Sequence, residues 1–264
     1  MSLIRLTRCL LPMLAACALL VIPAGAQAQI TDLNTAINKA GRERMLSQRM
    51  AKAYLQIGLQ VDVPRSRRVL EQSMALFDRQ LVELKNFAPT GEIRDTCLQL
   101  EARWLAYKDA LIGKPPSREG AATVLRLSDD VLALADQATR LLEKHAGSTA
   151  GHLVNLSGRQ RMLSQRMAKL YHAQSWQVAE PDLAGKLNTA RKEFTAALRE
   201  LNAASSNTDN LRRELQLVEQ QWLFFRDALD QREESTAKRS LNVATTSERI
   251  LESMEVVVGL YESL

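Results

Sequence analysis

Arg44 and Arg161 are the side chains whose type and setting most directly suggest chemistry. Arg44 lies in Asn38-Lys-Ala-Gly-Arg-Glu-Arg-Met-Leu-Ser-Gln-Arg-Met-Ala-Lys-Ala-Tyr54 and Arg161 in Asn155-Leu-Ser-Gly-Arg-Gln-Arg-Met-Leu-Ser-Gln-Arg-Met-Ala-Lys-Leu-Tyr171, nearly the same text at an offset of 117 residues. On a helix turning about 100° per residue, Ile37, Gly41, Arg44, Met45, Gln48, Ala51, Leu55 and Leu59 share one face, so Arg44 interrupts an apolar stripe. Arg161 has the same setting among Val154, Met162, Gln165 and Ala168. A guanidinium keeps its proton, so burying one requires an anion or a strong acceptor beside it. Glu43 points away from Arg44 around the helix and its counterpart is Gln160, so the motif helices offer no evident acid of their own. Two partners remain open. One is a ligand, for which the planar fork suits nitrate, nitrite or a carboxylate. The other is an acid on a neighbouring helix, with Glu92, Asp95, Glu101, Asp129 and Asp130 available. Gly41 and Gly158, one turn earlier on the same face, would let a helix or ligand approach the backbone.

Other chemistries find little support. His145, His152 and His172 are the three histidines, and none forms a Glu-x-x-His pair or a Cys-x-x-Cys-His string, so no metal, haem or other cofactor is expected. Ser47 and Ser164 lie mid-helix with no base beside them, and no constellation marks an enzyme. Met45, Met50, Met162 and Met167 at helical spacing read as packing, and Trp104 and Trp222 as core anchors.

The elements that must position the arginines are helices. Gly and Pro fall between helical patterns, and the spacing predicts helices over Thr31 to Gln60, Pro64 to Phe87, Glu92 to Ile112 and Arg118 to His145. The second copy repeats them over Ser148 to Val178, Asp182 to Ala203, Asp209 to Asp230 and Ser235 to Ser263. Leu70, Phe77, Leu81 and Leu84 fall on Leu187, Phe194, Leu198 and Leu201 at the motif offset, and Trp104 to Leu111 matches Trp222 to Leu229 one residue further on. The expected fold is all-α, two tandem up-down-up-down four-helix bundles over residues 29–147 and 148–264. Gly147-Ser-Thr-Ala-Gly151 is the natural joint, a kinked continuous helix being the alternative there. Leu46, Met50 and Ile57 make a second apolar face on the first helix, with Arg42 and Arg49 between the two faces. Such a helix should be buried against its own bundle and against a second one.

Residues 1–28 read as a cleaved export signal: Arg5 and Arg8, an apolar run from Cys9 to Ile22, then Ala26-Gln-Ala28. A lipid on Cys17, within Leu14-Ala-Ala-Cys17, is the less favoured alternative because the apolar run continues past it. The chain is therefore expected in the periplasm. Without Arg5 and Arg8, 33 of the 35 basic residues face 30 acidic ones, too mild a balance to suggest nucleic acid. Only Cys97 of the three cysteines lies beyond the signal, which excludes a disulfide framework.

The string Ile37-Asn-x-Ala-Gly-x-x-Arg-Met-x-Ser-x-Arg resembles the periplasmic sensor element of nitrate-responsive histidine kinases of the NarX type. The fuller Gly-Arg-x-Arg-Met-Leu-Ser-Gln-Arg-Met-Ala-Lys resembles the PilJ-type domain that begins type IV pilus chemoreceptors. The likeness is specific over about 17 residues per copy. It implies a small-anion sensor in which Arg44 and Arg161 clamp nitrate or nitrite where two motif helices meet. Arg49 and Arg166 match the later motif arginine, and Gln48, Gln165, Gly41 and Gly158 would shape the pocket. Arg42 and Arg159 replace the small residue that follows glycine in the nitrate sensors and make the site more basic. The two motif helices would meet within one chain or across a homodimer. Since those sensors carry transmembrane helices and an output module that this sequence does not display, the implied partner is a membrane chemoreceptor or sensor kinase. A ligand-free module docking on such a partner, or on a pilus component, is the alternative.

Overall fold

A computed structural model describes residues 30–230 and 235–264; the expected export segment lies outside the described residues. Eight helices follow in order: α1 (Leu33–Gly58), α2 (Val63–Phe87), α3 (Gly91–Ile112), α4 (Arg118–Ala146), α5 (Thr149–Ser175), α6 (Leu183–Ala203), α7 (Asp209–Asp230) and α8 (Thr236–Glu262). Short polar side chains start them. Asp32, Asp62, Thr90, Ser117, Ser148, Asp182 and Ser235 each accept a hydrogen bond from a first-turn backbone N–H. The joint between α4 and α5 is a true break, because Gly147 adopts a left-handed φ of 61° and Ser148 Oγ accepts from Gly151 N at 3.0 Å. α5 stops at Ser175, short of the expected Val178, because Gln177 turns to a left-handed φ of 56°, as its counterpart Gln60 does at 57°.

Helices α1 to α4 form one antiparallel bundle and α5 to α8 the other. Each is filled from all four helices. Phe77 stacks on Trp104 with ring centroids 4.3 Å apart, and the equivalent Phe194 and Trp222 lie 4.5 Å apart. Cys97 and Leu215 occupy matching buried positions, and burial pushes the Cys97 thiol up to about 11. The methionines at 45, 50, 162 and 167 are core residues. Among the described residues no helix is long and apolar enough to cross a membrane.

The two bundles meet through α1 and α5, which pack on each other along their length. The two-faced reading of the motif helix therefore holds: α1 touches α2 and α4 on one side and α5 on the other, and both motif helices lie in the interior of one chain.

Candidate functional site

The α1–α5 contact carries a ladder of buried polar side chains at four-residue spacing. On α1 these are Arg44, Gln48, Lys52 and Gln56; on α5 they are Arg161, Gln165 and Lys169, with His172 beside Gln56. A step of four residues keeps side chains on one helical face, which is why both motifs direct these groups at each other.

Each arginine is 1% exposed or less and is held by two elements. Arg44 Nη1 donates to Asp136 Oδ1 on α4 at 2.8 Å, and Nη2 donates to Asn155 Oδ1 on α5 at 2.7 Å. Arg161 repeats the pattern with Glu255 Oε2 on α8 at 2.7 Å and Asn38 Oδ1 on α1 at 2.7 Å. The asparagine amides are oriented from behind, since Asn155 Nδ2 donates to Glu143 and Asn38 Nδ2 to Glu262. A Cβ added to Gly41 would lie 3.1 Å from Arg44 Nη2 and 3.8 Å from Arg161 Nη2. At Gly158 the corresponding distances are 3.5 Å and 3.3 Å, so the two guanidiniums converge on the space the glycines leave. Burial lowers both arginine pKa values, that of Arg161 to about 10, against the pull of Asp136 and Glu255. Both remain charged at neutral pH. Among the described residues, the Nε–H of each is buried with no hydrogen-bond partner.

Neutralisation of the arginines thus comes from inside the chain. Asp136 and Glu255 were not among the acids expected to serve; the nearest of those in sequence, Asp129 and Asp130, sit lower on α4. Arg44 and Asp136 lie 92 residues apart, so their meeting depends on the pairing of α1 with α4.

One turn further along, Gln48 Nε2 donates to the Ser128 carbonyl at 3.1 Å and Gln165 Nε2 to the Ser247 carbonyl at 3.0 Å. The next rung was missed from sequence. Lys52 and Lys169 are buried, and Lys52 Nζ contacts Gln165, Ser247 and Glu248, whereas Lys169 Nζ contacts Ser128 and Asp129. Burial lowers both ammonium groups to about 8 despite the paired carboxylates. Burial alone would raise Glu248, but Lys52 and Arg49 hold it down to about 2. The signal was present, because Lys52 and Lys169 close the letter-for-letter run that starts at Arg44 and Arg161, four residues after the glutamines. His172, buried and near Lys52, is lowered to about 3 and is neutral.

The remaining arginines lie at the edges of the ladder. Arg42 forks on Glu255 through Nε at 3.3 Å and Nη2 at 2.7 Å, and Arg49 forks on Glu248. Arg159 donates once to Glu193 at 3.0 Å, and Arg166 stands 3.6 Å from Asp129. Arg159 and Arg166 also line a groove of about 510 Å³ between α4, α5 and α6. The structure therefore brings Arg44, Arg161, Gly41 and Gly158 to one point, with Gln48 and Gln165 one turn away, and leaves the other four arginines outside that point.

The comparisons with known proteins agree with the duplicated architecture. The profile of the family described as type IV pili methyl-accepting chemotaxis transducer N-term, PilJ, matches residues 27–141 and again residues 146–247. No curated protein and no solved structure gives a significant match.

Proposed function

Because the chain belongs to the PilJ family of type IV pili methyl-accepting chemotaxis transducer N-terminal domains, present here twice, we propose that it is a periplasmic sensory protein. Its ligand is a small planar oxyanion, nitrate or nitrite first, bound between Arg44 and Arg161. One observation carries this reading: two buried guanidiniums from the two motif copies converge on facing glycines, and each keeps an unpartnered Nε–H. Buried donors without partners are costly, and an oxyanion between the forks would satisfy both. Arg44 ties α1 to α4 and α5, and Arg161 ties α5 to α8 and α1. An anion that draws the forks inward would loosen or shift those ties and change how the bundles sit on each other. A chemoreceptor or sensor kinase in the membrane would read that change.

A second reading, a docking module without a ligand, is favoured by the internal carboxylates, which already neutralise each arginine, and by Leu223 and Phe224 on α7. These two are 57% and 60% exposed. Thermal unfolding in a low-anion buffer separates the readings when nitrate, nitrite, chloride, sulfate and acetate are titrated separately. Saturation at 100 times the dissociation constant adds about 2.7 kcal/mol of stability. A shift confined to a planar anion and lost in Arg44→Ala with Arg161→Ala supports the sensor. Equal shifts for all anions, or none, favour the docking module.

A further inference from the structure

The groove between α4, α5 and α6 differs from its equivalent in the other half in a way that leaves two arginines under-used. The halves correspond at an offset of 117 along α5 and α6, and of 119 along α4, where Ser128 and Asp129 play the parts of Ser247 and Glu248. Arg42 and Arg49 each make a two-point fork, on Glu255 and Glu248. Their counterparts Arg159 and Arg166 face Asp136 and Asp129, each one methylene shorter. Arg159 turns instead to Glu193 with a single bond, and Arg166 reaches only a 3.6 Å contact with Asp129.

Three further changes open the same space. α6 starts at Leu183 behind Pro181, whereas α2 starts at Val63 before the equivalent Pro64, so the wall beside α5 is about one turn shorter. Thr189 and Gly185 stand where α2 carries Gln72 and Arg68, and Ala133 stands where α8 carries Glu252. The result is a cavity of about 510 Å³, within the range that small-molecule sites occupy. Its floor includes Leu132, Met162 and Ala190.

The charges sort by what already engages them. Asp129 is held by Lys169, Asp136 by Arg44 and Arg140, and Glu193 by Arg159. Asp182 caps α6 by accepting from Gly185 N at 3.1 Å. Lys186 is paired with Glu180. Arg166 is the groove cation with the weakest engagement, 23% exposed beside an apolar floor. A planar fork with open donors above hydrocarbon suits a carboxylate that carries an apolar body.

We infer that the α4–α5–α6 groove is a second ligand site, taking a small organic monocarboxylate whose carboxylate docks on Arg166 and whose hydrocarbon body lies over Met162 and Leu132. It is separate from the Arg44–Arg161 point and absent in kind from the other half, so duplication has produced one site per chain there, not two.

Isothermal titration of the full mature chain with n-alkanoates from butanoate to octanoate tests it, with the alcohols of equal length and nitrate as controls. Affinity should rise roughly two- to fourfold per methylene, and the alcohols should bind at least tenfold more weakly. Arg166→Gln should cost tenfold or more in affinity with the ligand-free melting temperature unchanged. Ala133→Glu with Thr189→Gln, both exposed positions given the other half's residues, should close the groove and abolish alkanoate binding. That double variant should leave any nitrate response of the Arg44–Arg161 point intact. No alkanoate binding at millimolar concentration, binding that alcohols match, or binding that survives both variants would overturn the assignment.

Discussion

The two halves share a motif almost letter for letter, yet their polar interiors are not mirror images. In α5 the two glutamines are engaged: Gln165 Oε1 accepts from Lys52 across the seam, and Gln160 Nε2 donates to the Phe194 carbonyl on α6 at 2.9 Å. In α1 the equivalent Gln48 Oε1 is buried without a partner among the described residues, and Glu43, the counterpart of Gln160, has both carboxyl oxygens in the same state. Burial raises the Glu43 pKa well above the ordinary value, against the pull of Arg42 and with the help of Asp78 and Glu83. Both halves bury polar atoms without a partner among the described residues, Gln160 Oε1 and Arg161 Nε in the second included, but the buried carboxyl group left in that state, Glu43, belongs to the first half.

The largest test of this asymmetry sets Glu248 against Asp129. Glu248→Gln would strand Lys52 and Arg49 and should cost about 3–5 kcal/mol in denaturant unfolding at pH 7. Asp129→Asn should cost clearly less, because Asp129 is 35% exposed against 8% for Glu248 and its Arg166 contact is long. The Glu248 contribution is full above the ordinary carboxyl pKa and is lost as pH falls from 4.5 toward about 2. In Glu248→Gln that part of the acid limb should flatten. Equal costs for the two variants would show the two carboxylates to be equally buried and engaged, against this asymmetry.

A middle-sized effect of opposite sign is expected at Glu43. Its native pKa is raised, so the folded state holds a proton that the unfolded chain releases, and stability falls as pH climbs from 4.5 toward the native value. Glu43→Gln gives the first half the residue of the second and should stabilise by about 1–3 kcal/mol at neutral pH. The gain should vanish below the ordinary carboxyl range, as read from unfolding free energies at pH 4 and pH 7. The smallest effect belongs to Tyr107, whose hydroxyl donates to the Ser47 carbonyl at 2.7 Å where the other half has Phe225. Tyr107→Phe should cost about 1 kcal/mol by the same assay.

Helix limits were legible because their signals are local: Pro64 and Pro181 at starts, Gly147 and the Asp and Ser caps at boundaries. A meeting of the two motif helices was legible because a second apolar face on the first of them demanded a second bundle, though whether within one chain or across a homodimer was not. Lys52 and Lys169 were not, because a lysine on an amphipathic helix ordinarily reaches solvent and only the packing of α5 on α1 closes that route. Asp136 and Glu255 escaped notice because the offset between halves drifts from 117 through 118 to 119 along the chain, hiding their equivalence. The α4–α5–α6 groove was invisible for the same reason, since a Glu-to-Asp exchange matters only once its arginine is known to stand opposite.

The most direct measurement of the central proposal is arginine Nε–H nuclear magnetic resonance of the mature protein during nitrate titration, with Arg44 and Arg161 assigned from Arg44→Lys and Arg161→Lys. Binding between the two forks predicts that both Nε–H signals shift together, saturating at one dissociation constant, while those of Arg42 and Arg49 stay in place. Arg44 and Arg161 signals that do not move at any nitrate concentration would contradict it.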